Sequence, residues 1–461
     1  MTLIDKLKKE TFPSKDYIYK DLVIDKRKIT LLFNEVLINT QGVNDFILRE
    51  LVRLKKNEID NLDNYLPNTN IKSIKKEEIL DYVNKGFLII IGKNIFASEF
   101  KSLFDRGVTN IESELSINGP KDSFSENFNL NLALIRKRIK SSDLCVIDQE
   151  LGRITKTKVG ILYMRNICNE KLVNRVLGVL SNIDIDGIID SSYLKTVLEG
   201  KNSLFPTIMM SERPDKSSMA LLEGKIVIIV DMSPYTLILP SFFLDFFHTV
   251  DDYYQKNFNT SFIRVIRFLA FLIAVFTPAI YIAVTTRNYD LVPDSLLMML
   301  KAGRTFVPFP AYIEALFMIV CFEILKESDL RMSSTSGSAV SILGGLILGD
   351  AAVSAGIVSP IMIIIIAISS IAGLIFTSME LVNALRWYKI LLLILGTIFG
   401  IYGVLIGTFI MLYNIFSLKI FGNNYLYFDK YEVNDFIIKK DSNMKFRNSK
   451  LTKNIIRGRY K

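Results

Sequence analysis

The sequence predicts an integral membrane protein with an N-terminal α/β domain in two lobes and a C-terminal bundle of transmembrane helices. Residues 1–258 carry 36 Lys and Arg against 35 Asp and Glu, whereas residues 259–417 carry only 9 and 8. Runs of roughly 18 or more apolar residues with few charges are typical of membrane-spanning helices. Residues 418–461 have 11 basic and 4 acidic residues, and we expect them to form a basic cytosolic tail.

In the N-terminal half, short runs rich in Ile and Val alternate with amphipathic segments. The predicted strands are Phe87–Ile91, Leu144–Ile147, Val159–Tyr163 and Ile226–Val230. The predicted helices among them are Asp45–Leu54, Glu77–Val83 and Lys171–Leu180. This alternation predicts α/β units with partly parallel sheets, in lobes of about residues 20–110 and 140–235.

The segment that joins the lobes carries the signals of a helix. Ser123 followed by Glu126 has the spacing of a capping box, and Gly119-Pro120 breaks whatever precedes it. An apolar stripe follows, and basic residues that include Arg136 and Arg138 crowd the last turn, where the helix dipole favours cations. The pattern predicts a packed helix with a solvated basic end, or alternatively a helix on which a partner subunit docks.

Four apolar blocks occupy the C-terminal half. They are Phe268–Thr286, Thr305–Phe322, Met332–Ser378 and Ile390–Ser417. The first contains Pro278, which predicts a bend in a helix, with gating as the alternative role for this proline and for Pro360. The third block is too long for one crossing. We therefore expect its Gly-rich part, Ser338–Gly349, to be a buried or re-entrant half-span and Pro360–Phe376 to be a full crossing that begins at another predicted bend, Pro360.

Basic flanking residues set the expected orientation. The first 20 residues are polar and lysine-rich, without the apolar stretch of a signal peptide, so the N-terminal half is expected in the cytosol. Four full crossings, near residues 265–286, 306–326, 358–377 and 390–415, then return the basic tail to the cytosol. Five full crossings with the tail outside are the alternative.

Several functional classes find no support in the residues. The sequence has no P-loop, dinucleotide-binding fingerprint or nucleophile elbow, so no catalytic residue and no cofactor are predicted. One histidine and three separated cysteines do not make a metal site. Because the N-terminal half has no basic excess, nucleic acid is not an expected partner. The basic tail is instead expected to meet anionic membrane lipid.

A series of short motifs in register resembles one family. It begins with ELSINGPKDSFSENFNLNLALIRKRIKSSDL at residues 114–144 and continues with Phe205-Pro206-Thr207 and Glu212-Arg213-Pro214-Asp215. In the apolar half, PFPAYIEALFMIVCFEILKESDLR and SILGGLILGDAAVSAGIVSP extend it over residues 308–331 and 341–360. The sequence is similar to the A subunit of bacterial spore-germination receptors, the GerA/SpoVAF family. Asn118, Met232 and Ile420 depart from the residues common in that family.

The resemblance implies a multi-pass protein of the spore inner membrane. It implies B- and C-type germination receptor subunits as partners, and a homo-oligomer, thought to be a ring, that opens an ion pathway when nutrients bind. A non-conducting scaffold and a secondary transporter are the competing hypotheses. Only one Gly-rich broken segment is visible, whereas transporters commonly have a matching pair.

Two carboxylates in apolar surroundings are the candidate ion-pathway residues. Glu314 lies within an apolar block and Asp350 ends the Gly-rich segment. A carboxylate there costs a few kcal/mol unless it faces protein or water. Each is expected either to line a pathway or to be a hydrogen-bonded strut. A direct pair of Glu314 with Arg304 across one helix would be awkward, since they are ten residues apart.

The motif from Glu212 to Asp215 is the candidate structural or partner-binding motif of the N-terminal half. Its sequence, Glu212-Arg213-Pro214-Asp215, resembles a loop that leads into a helix. We expect Asp215 to cap that helix and Gly224 to end it. A salt-bridged corner and a contact with a partner subunit are both open interpretations.

Overall fold

A computed structural model describes residues 3–24, 27–53, 62, 71–101, 109–110, 113–199, 203–331, 344–345 and 347–426. The described residues divide into two compact units. Those up to residue 199, with 208–241, form the first unit. Residues 203–207 and those from 242 onward form the second. The domain boundary drawn at residue 258 from the sequence stays a prediction, as do the lobe limits and the basic tail, which lies mostly outside the described residues.

The first unit begins with a five-stranded sheet. Its strands are β1 (Tyr17–Ile24), β2 (Arg27–Asn34), β3 (Ile71–Ser73), β4 (Phe87–Ile91) and β5 (Ile95–Glu99), in the order β1-β2-β4-β5-β3. Alternate residues of β4 enter two different cores: Leu88 and Ile90 pack on one face, and Ile89 and Ile91 on the other. A strand buried on both faces is apolar throughout, which explains the uninterrupted run at 87–91.

Short helices flank this sheet. They are α1 (Leu3–Thr11), α2 (Thr40–Val43), a π-helical turn (Asn44–Leu48), α3 (Arg49–Leu51) and α4 (Ile79–Asn84). Ile47 and Leu51 cover one face of the sheet, and Ile79 and Val83 cover the other. The helix predicted at Asp45–Leu54 is therefore present as short pieces over its described part, and its last residue lies outside the described residues.

A second five-stranded sheet has the order β10-β12-β11-β9-β8. Its strands are β8 (Leu144–Leu151), β9 (Thr157–Met164), β10 (Met209–Ser211), β11 (Ile226–Val230) and β12 (Thr236–Leu239). Around it lie α5 (Phe128–Arg138), α6 (Glu170–Ser181), α7 (Ser191–Glu199) and α8 (Pro214–Leu222), and a two-stranded ribbon, β6 (Thr109–Asn110) with β7 (Asp122–Ser123), precedes it. All four strands predicted from the sequence are confirmed, two of them longer than expected.

The expectation of partly parallel sheets is wrong. Every strand pair in the described residues is antiparallel, including the hairpins of β1 with β2, β4 with β5 and β8 with β9. The apolar run of β11 is buried along its whole length. Burial on both faces gives an antiparallel strand the same continuous pattern as a parallel one, so the pattern alone does not decide direction.

The helix that joins the lobes begins later than the capping box predicts. Asn127, not Ser123, is the N-cap of α5, and its side chain accepts a hydrogen bond from the Leu130 amide. Ser123 ends β7 and donates its hydroxyl to the Glu212 carbonyl, 3.1 Å away. The capping-box prediction is therefore wrong, because Ser123 pairs with Thr109 in the β6–β7 ribbon. The apolar stripe is buried as expected.

The second unit is mostly helical. Its elements include α9 (Asp251–Tyr254), α10 (Asn257–Thr286), α11 (Asp294–Ala302), α12 (Ala311–Arg331), α13 (residues 347–354), α14 (Pro360–Gly373), α15 (Met379–Phe399), α16 (Ile401–Ser417), and the ribbon β13 (Lys419–Ile420) with β14 (Asn423–Asn424). By length and composition, α10 and α15 are long and apolar enough to cross a membrane, and α14 and α16 are shorter apolar helices. Four full crossings are therefore not confirmed.

The predicted crossing near residues 390–415 is not one helix, because Gly400 divides it. Gly400 has φ of +63°, a conformation that favours glycine. After it the chain folds back: a Cβ on Gly403 would lie 1.9 Å from the Leu395 carbonyl oxygen, and the Asn414 side chain donates to the Tyr388 hydroxyl at 2.6 Å. The two helices therefore form a close antiparallel hairpin, which hydropathy alone reads as one long span.

Contacts place the helix ends of the second unit in two groups. The first group, the entry end, is joined by a ring contact of Phe247 with Phe376, by the Tyr388–Asn414 bond and by a bond between the Phe243 amide and the Tyr425 carbonyl. The second group, the far end, is joined by Asn288, whose side-chain oxygen accepts from the Ile401 amide, and by Glu314, which accepts from the Ser359 amide.

The helices alternate between these ends. In chain order, α10, α13 and α15 run from the entry end to the far end. The helices α12, α14 and α16 run from the far end to the entry end. The direction of α13 follows from Gly344, which lies beside Leu325 near the end of α12, and from Gly356, which lies beside the Phe306 carbonyl at the far end. The chain thus enters α10 and leaves α16 at the same end. The predicted half-span, Ser338–Gly349, lies largely outside the described residues, and its described part is helical.

Candidate functional site: a buried carboxylate among the helices

Glu314 lies in the first turn of α12, at the far end, and its side chain is fully buried. Its Oε1 accepts a hydrogen bond from the Arg304 guanidinium at 2.9 Å, and its Oε2 accepts from the Ser359 amide at 3.0 Å. A direct pair of Arg304 with Glu314 was expected to be awkward if both lay on one helix, and the two residues do pair. Arg304 lies in the loop before α12, not on the same helix, so the loop brings the guanidinium back over the helix start.

Further polar atoms surround this ion pair. The Ser359 hydroxyl, the Arg304 Nε and the Tyr281 hydroxyl are buried and have no hydrogen-bond partner of good geometry among the described residues. The charges of Arg304 and Glu314 act on Tyr281, which places it in the same cluster. The apolar side chains of Ile282, Ala315 and Met362 pack close by. The site is therefore a small polar cluster enclosed by an apolar core, with one carboxylate paired to one guanidinium.

In the described part of the chain, Asp350 forms no hydrogen bond or ion pair with the cluster around Glu314. It lies in α13, two residues before Ala352, which is buried against the start of α12. The Asp350 side chain itself is exposed. The two candidate pathway residues thus differ: Glu314 is enclosed within the chain, whereas Asp350 points out of it from an otherwise apolar segment.

The two prolines have different positions. Pro278 lies inside α10, and because a proline has no N–H, the Ala274 carbonyl four residues earlier lacks its helical donor. The Ser369 hydroxyl of α14 donates to that carbonyl at 2.8 Å. Pro360 is the first residue of α14. It therefore starts a helix instead of bending one, as proline often does at this position, and gating by either proline stays a prediction.

The Glu212–Asp215 motif forms a salt-bridged corner in the first unit. The Arg213 guanidinium is fully buried and donates to both Asp215 oxygens, at 3.0 and 2.8 Å, and to the carbonyls of Glu114 and Pro120. The Glu212 carboxylate accepts from the Ser113 and Glu114 amides, at 2.6 and 2.7 Å. The corner thus fixes the loop from 113 to 120, in which the Gly119 amide donates to Ser116.

The helix that follows is bounded differently from the sequence expectation. Arg213 is the N-cap of α8 and Pro214 its first residue, so Asp215 is not the cap. Its carboxylate is instead engaged by the Arg213 guanidinium. Gly224 does end the helix: it has φ of +91°, and the Lys225 amide bonds the Ala220 carbonyl as in a Schellman motif.

The basic end of α5 is buried, and the expectation of a solvated end is wrong for Arg136. Its guanidinium donates to both oxygens of Asp16, at 2.8 and 3.0 Å, and lies over the Tyr17 ring. Burial raises the pKa of Tyr17 to about 12, although the Arg136 charge opposes the rise. Arg138 pairs with Asp122 in a half-buried ion pair. Glu126 is exposed, and its carbonyl accepts from the Met232 amide.

A second buried ion cluster lies just before the apolar part of α10. Arg267 donates to both oxygens of Asp252, at 2.7 and 2.9 Å, and Arg264 contacts the same carboxylate at 3.3 Å. Burial works to raise the pKa of Asp252, but these guanidinium groups hold it below its usual value. Burial and the Arg264 charge lower the pKa of His248 to about 4.

The comparisons with known proteins agree with the residue pattern. A model of the family described as "Bacillus/Clostridium GerA spore germination protein" matches residues 5–451. The chain belongs to the GerA spore germination family. Spore germination protein KA of Bacillus subtilis (strain 168) is 34% identical, over 92% of this chain and 80% of the relative. Spore germination protein GerQA of Bacillus cereus is 30% identical, over 90% and 84%.

Two further matches of this GerA family chain are a second Bacillus subtilis relative and a solved structure. An uncharacterized membrane protein, YfkQ of Bacillus subtilis (strain 168), is 32% identical, over 89% of this chain and 82% of the relative. A crystal structure is known for the N-terminal domain of the A subunit of the Bacillus megaterium spore germinant receptor GerK3. Its sequence is 26% identical, and its TM-score is 0.40, over 52% of this chain and 94% of that domain. The resemblance drawn from the sequence is confirmed at the level of the family.

Sequence reasoning missed several partners within this GerA family chain. Asp16 as the partner of Arg136, and Arg386 as the partner of Glu323, come from distant parts of the sequence. No local spacing connects them. A usable signal existed for Arg304, the cation immediately before an apolar block that holds one carboxylate. Such isolated opposite charges beside apolar segments are usually paired.

Proposed function

We propose that this protein is a membrane subunit of a nutrient-responsive spore-germination receptor that oligomerises and forms a gated cation pathway in the spore inner membrane. Its partners in this proposal are B- and C-type receptor subunits. Membership of the GerA family supports the germination role. Among the described residues an even number of helices alternates between the two ends, which supports a topology with the N-terminal half and the chain end on one side, the cytosol.

Exposure of Asp350 is the observation that carries the proposal. It is a carboxylate on the outer surface of a helix that is otherwise apolar. A charge held against lipid would cost a few kcal/mol or more. Water in a pathway between subunits removes that cost, and a ring of such carboxylates attracts cations and repels anions.

Glu314 has a different role in this proposal. Its two oxygens are both used, by Arg304 and by the Ser359 amide, which ties α12 to the start of α14. Its negative charge is balanced by Arg304. We therefore assign Glu314 to the strut that holds these helices together and Asp350 to the pathway.

The fixed loop between residues 113 and 120 supports an assembled receptor. It presents Leu115 and Ile117, which are 78% and 83% exposed, on a backbone held by Glu212 and Arg213. Aliphatic side chains on a rigid, exposed loop are suited to docking, because little conformational entropy is lost on binding. This loop is the proposed contact for a partner subunit.

Flux measurements on reconstituted liposomes test the proposal. The protein is incorporated with its partner subunits, nutrient is added, and cation efflux and complex size are measured on the same preparation. Asp350→Asn should lower the preference for cations, by the order of tenfold, in complexes of normal size. Glu314→Gln should reduce the amount of complex and leave the selectivity of the remainder unchanged. Asp294→Asn removes an exposed carboxylate at the start of α11 as the matched control.

Two outcomes would contradict the proposal. Intact nutrient-binding complexes without any flux would favour the non-conducting scaffold. Flux that saturates with substrate and exchanges one solute for another would favour a secondary transporter.

A further inference from the structure

A cluster of three cations and one carboxylate lies at the entry end of the helical unit. Glu323 of α12 contacts Arg386 of α15 at 2.7 Å, and the charges of Glu323, Arg386 and Lys326 all act on Lys389. Lys389 is only 8% exposed, and Lys326 is half-buried. Within the described residues no other charged group acts on Lys389. The cluster therefore has an excess of two positive charges in a largely enclosed position.

Donor groups in this cluster lack acceptors. The Arg386 Nε is buried without a hydrogen-bond partner among the described residues. Lys389 and Lys326 form no ion pair or hydrogen bond there either, since the one carboxylate is engaged by Arg386. A buried guanidinium N–H and two ammonium groups without acceptors are costly unless an anion meets them. The donors come from two helices that the Glu323–Arg386 ion pair holds together, and Lys326 and Lys389 each lie three residues beyond a member of that pair.

The cluster also lies where two apolar runs end. The run of α12 ends at Phe322 and that of α15 begins at Ile390. Trp387, between the basic residues of α15, is 60% exposed. Tryptophan collects at the boundary between lipid and water, and basic pockets between helices at that level bind lipid head groups. Guanidinium and ammonium groups together match the oxygens of a phosphate.

We propose that Arg386, Lys389 and Lys326 bind a phosphate group, supplied by the head group of an anionic phospholipid, while Glu323 orients the guanidinium. The inference rests on the membrane location in the proposed function, but not on conduction. The phosphate diester of the lipid accepts from the three cations, and its acyl chains lie along the apolar surfaces of α12 and α15. The site ties a lipid to the two helices that the Glu323–Arg386 pair already joins.

Lipid binding by the full-length protein tests this site. The protein is placed in phosphatidylcholine nanodiscs, phosphatidylglycerol is added in steps, and bound lipid is counted by native mass spectrometry. Lys389→Gln should weaken phosphatidylglycerol binding about tenfold or more, which is the worth of one charge-assisted hydrogen bond. Lys419→Gln removes an exposed cation at the same end and should have no effect. Glu323→Gln should retain or strengthen binding, because its amide oxygen can still accept from Arg386 while the one carboxylate of this cluster among the described residues is neutralised.

The variants also separate binding from structure. A purely structural cluster would be destabilised alike by Glu323→Gln and Lys389→Gln, with no difference in lipid affinity, and that result would overturn the proposal. If Lys389→Gln does not fold, Lys326→Gln at the edge of the cluster gives the same test. Equal saturation by inorganic phosphate in pure phosphatidylcholine would assign the site to free phosphate and overturn the lipid source. Intact lipid binding in a complex that does not conduct would count against the proposed function alone.

Discussion

The buried ion pair of Arg136 with Asp16 gives the sharpest stability prediction. Both side chains are at least 95% buried, and the pair joins α5 to the segment before β1. The Asp16 carboxylate also accepts from the Asn34 side chain at 2.7 Å, and Arg136 reaches the Ser141 carbonyl at 3.2 Å. Arg136→Met keeps the volume but leaves the carboxylate with one neutral donor.

The expected cost of Arg136→Met follows from this burial. Removing one partner of a buried ion pair leaves an uncompensated charge and costs about 3–5 kcal/mol. Arg153 forms a matched but exposed pair with Asp184. Arg153→Met should therefore cost far less than Arg136→Met, because water screens such exposed pairs.

Urea unfolding of a fragment of residues 1–241, followed by far-UV circular dichroism, measures both costs. The double variant Asp16→Asn with Arg136→Met should cost less than the two single changes added together, by more than about 1 kcal/mol, because the charges are coupled. If Arg136→Met costs no more than Arg153→Met, or if the single costs simply add, the burial argument is wrong.

Three further predictions concern the histidine, the hairpin and the domain boundary. His248 is the only histidine, so NMR of the labelled side chain should show it titrating near pH 4. Because the pKa of His248 is lowered in the folded state, its contribution to the free energy of unfolding is present above pH 6.5 and is lost as the pH falls towards 4. Titration near pH 6.5 would contradict this prediction. Gly403→Ala should lower the melting temperature of the purified protein, since a Cβ there meets a carbonyl oxygen. Gly373→Ala should not lower it, because a Cβ on Gly373 has no atom within 4 Å. Equal effects of the two changes would refute the close hairpin. A fragment of residues 1–241 should be more soluble than 1–258, because residues 242–256 carry aromatic side chains that pack with the helical unit; the reverse result would favour the boundary at 258.

Local patterns predicted the elements of this protein better than their arrangement. The strands at 87–91 and 226–230 have the predicted bounds because an apolar run between turn residues admits few other structures. Strand direction depends on which runs pair, and no local pattern records that. The capping box failed for the same reason: Ser123 satisfies the spacing, but pairing with Thr109 takes it into a ribbon.

For the candidate site, too, the sequence predicted the residues better than their surroundings. Glu314 and Asp350 stand out because each is a carboxylate in apolar sequence, and that signal is local. Which of them is enclosed depends on Arg304 and Ser359, which approach from a loop and from another helix. Hydropathy likewise found the apolar run at 390–417 but not the positive φ of Gly400 that divides it.

The central claim is that Asp350 supplies the negative charge of a cation pathway, and a reversal potential tests it most directly. Nutrient-activated current is recorded from reconstituted receptor across a bilayer with a tenfold KCl gradient. The wild type and Asp350→Glu, which keeps the charge, should both reverse near the potassium equilibrium potential, whereas Asp350→Asn should shift towards zero. An Asp350→Asn receptor that reverses at the wild-type potential would contradict the claim.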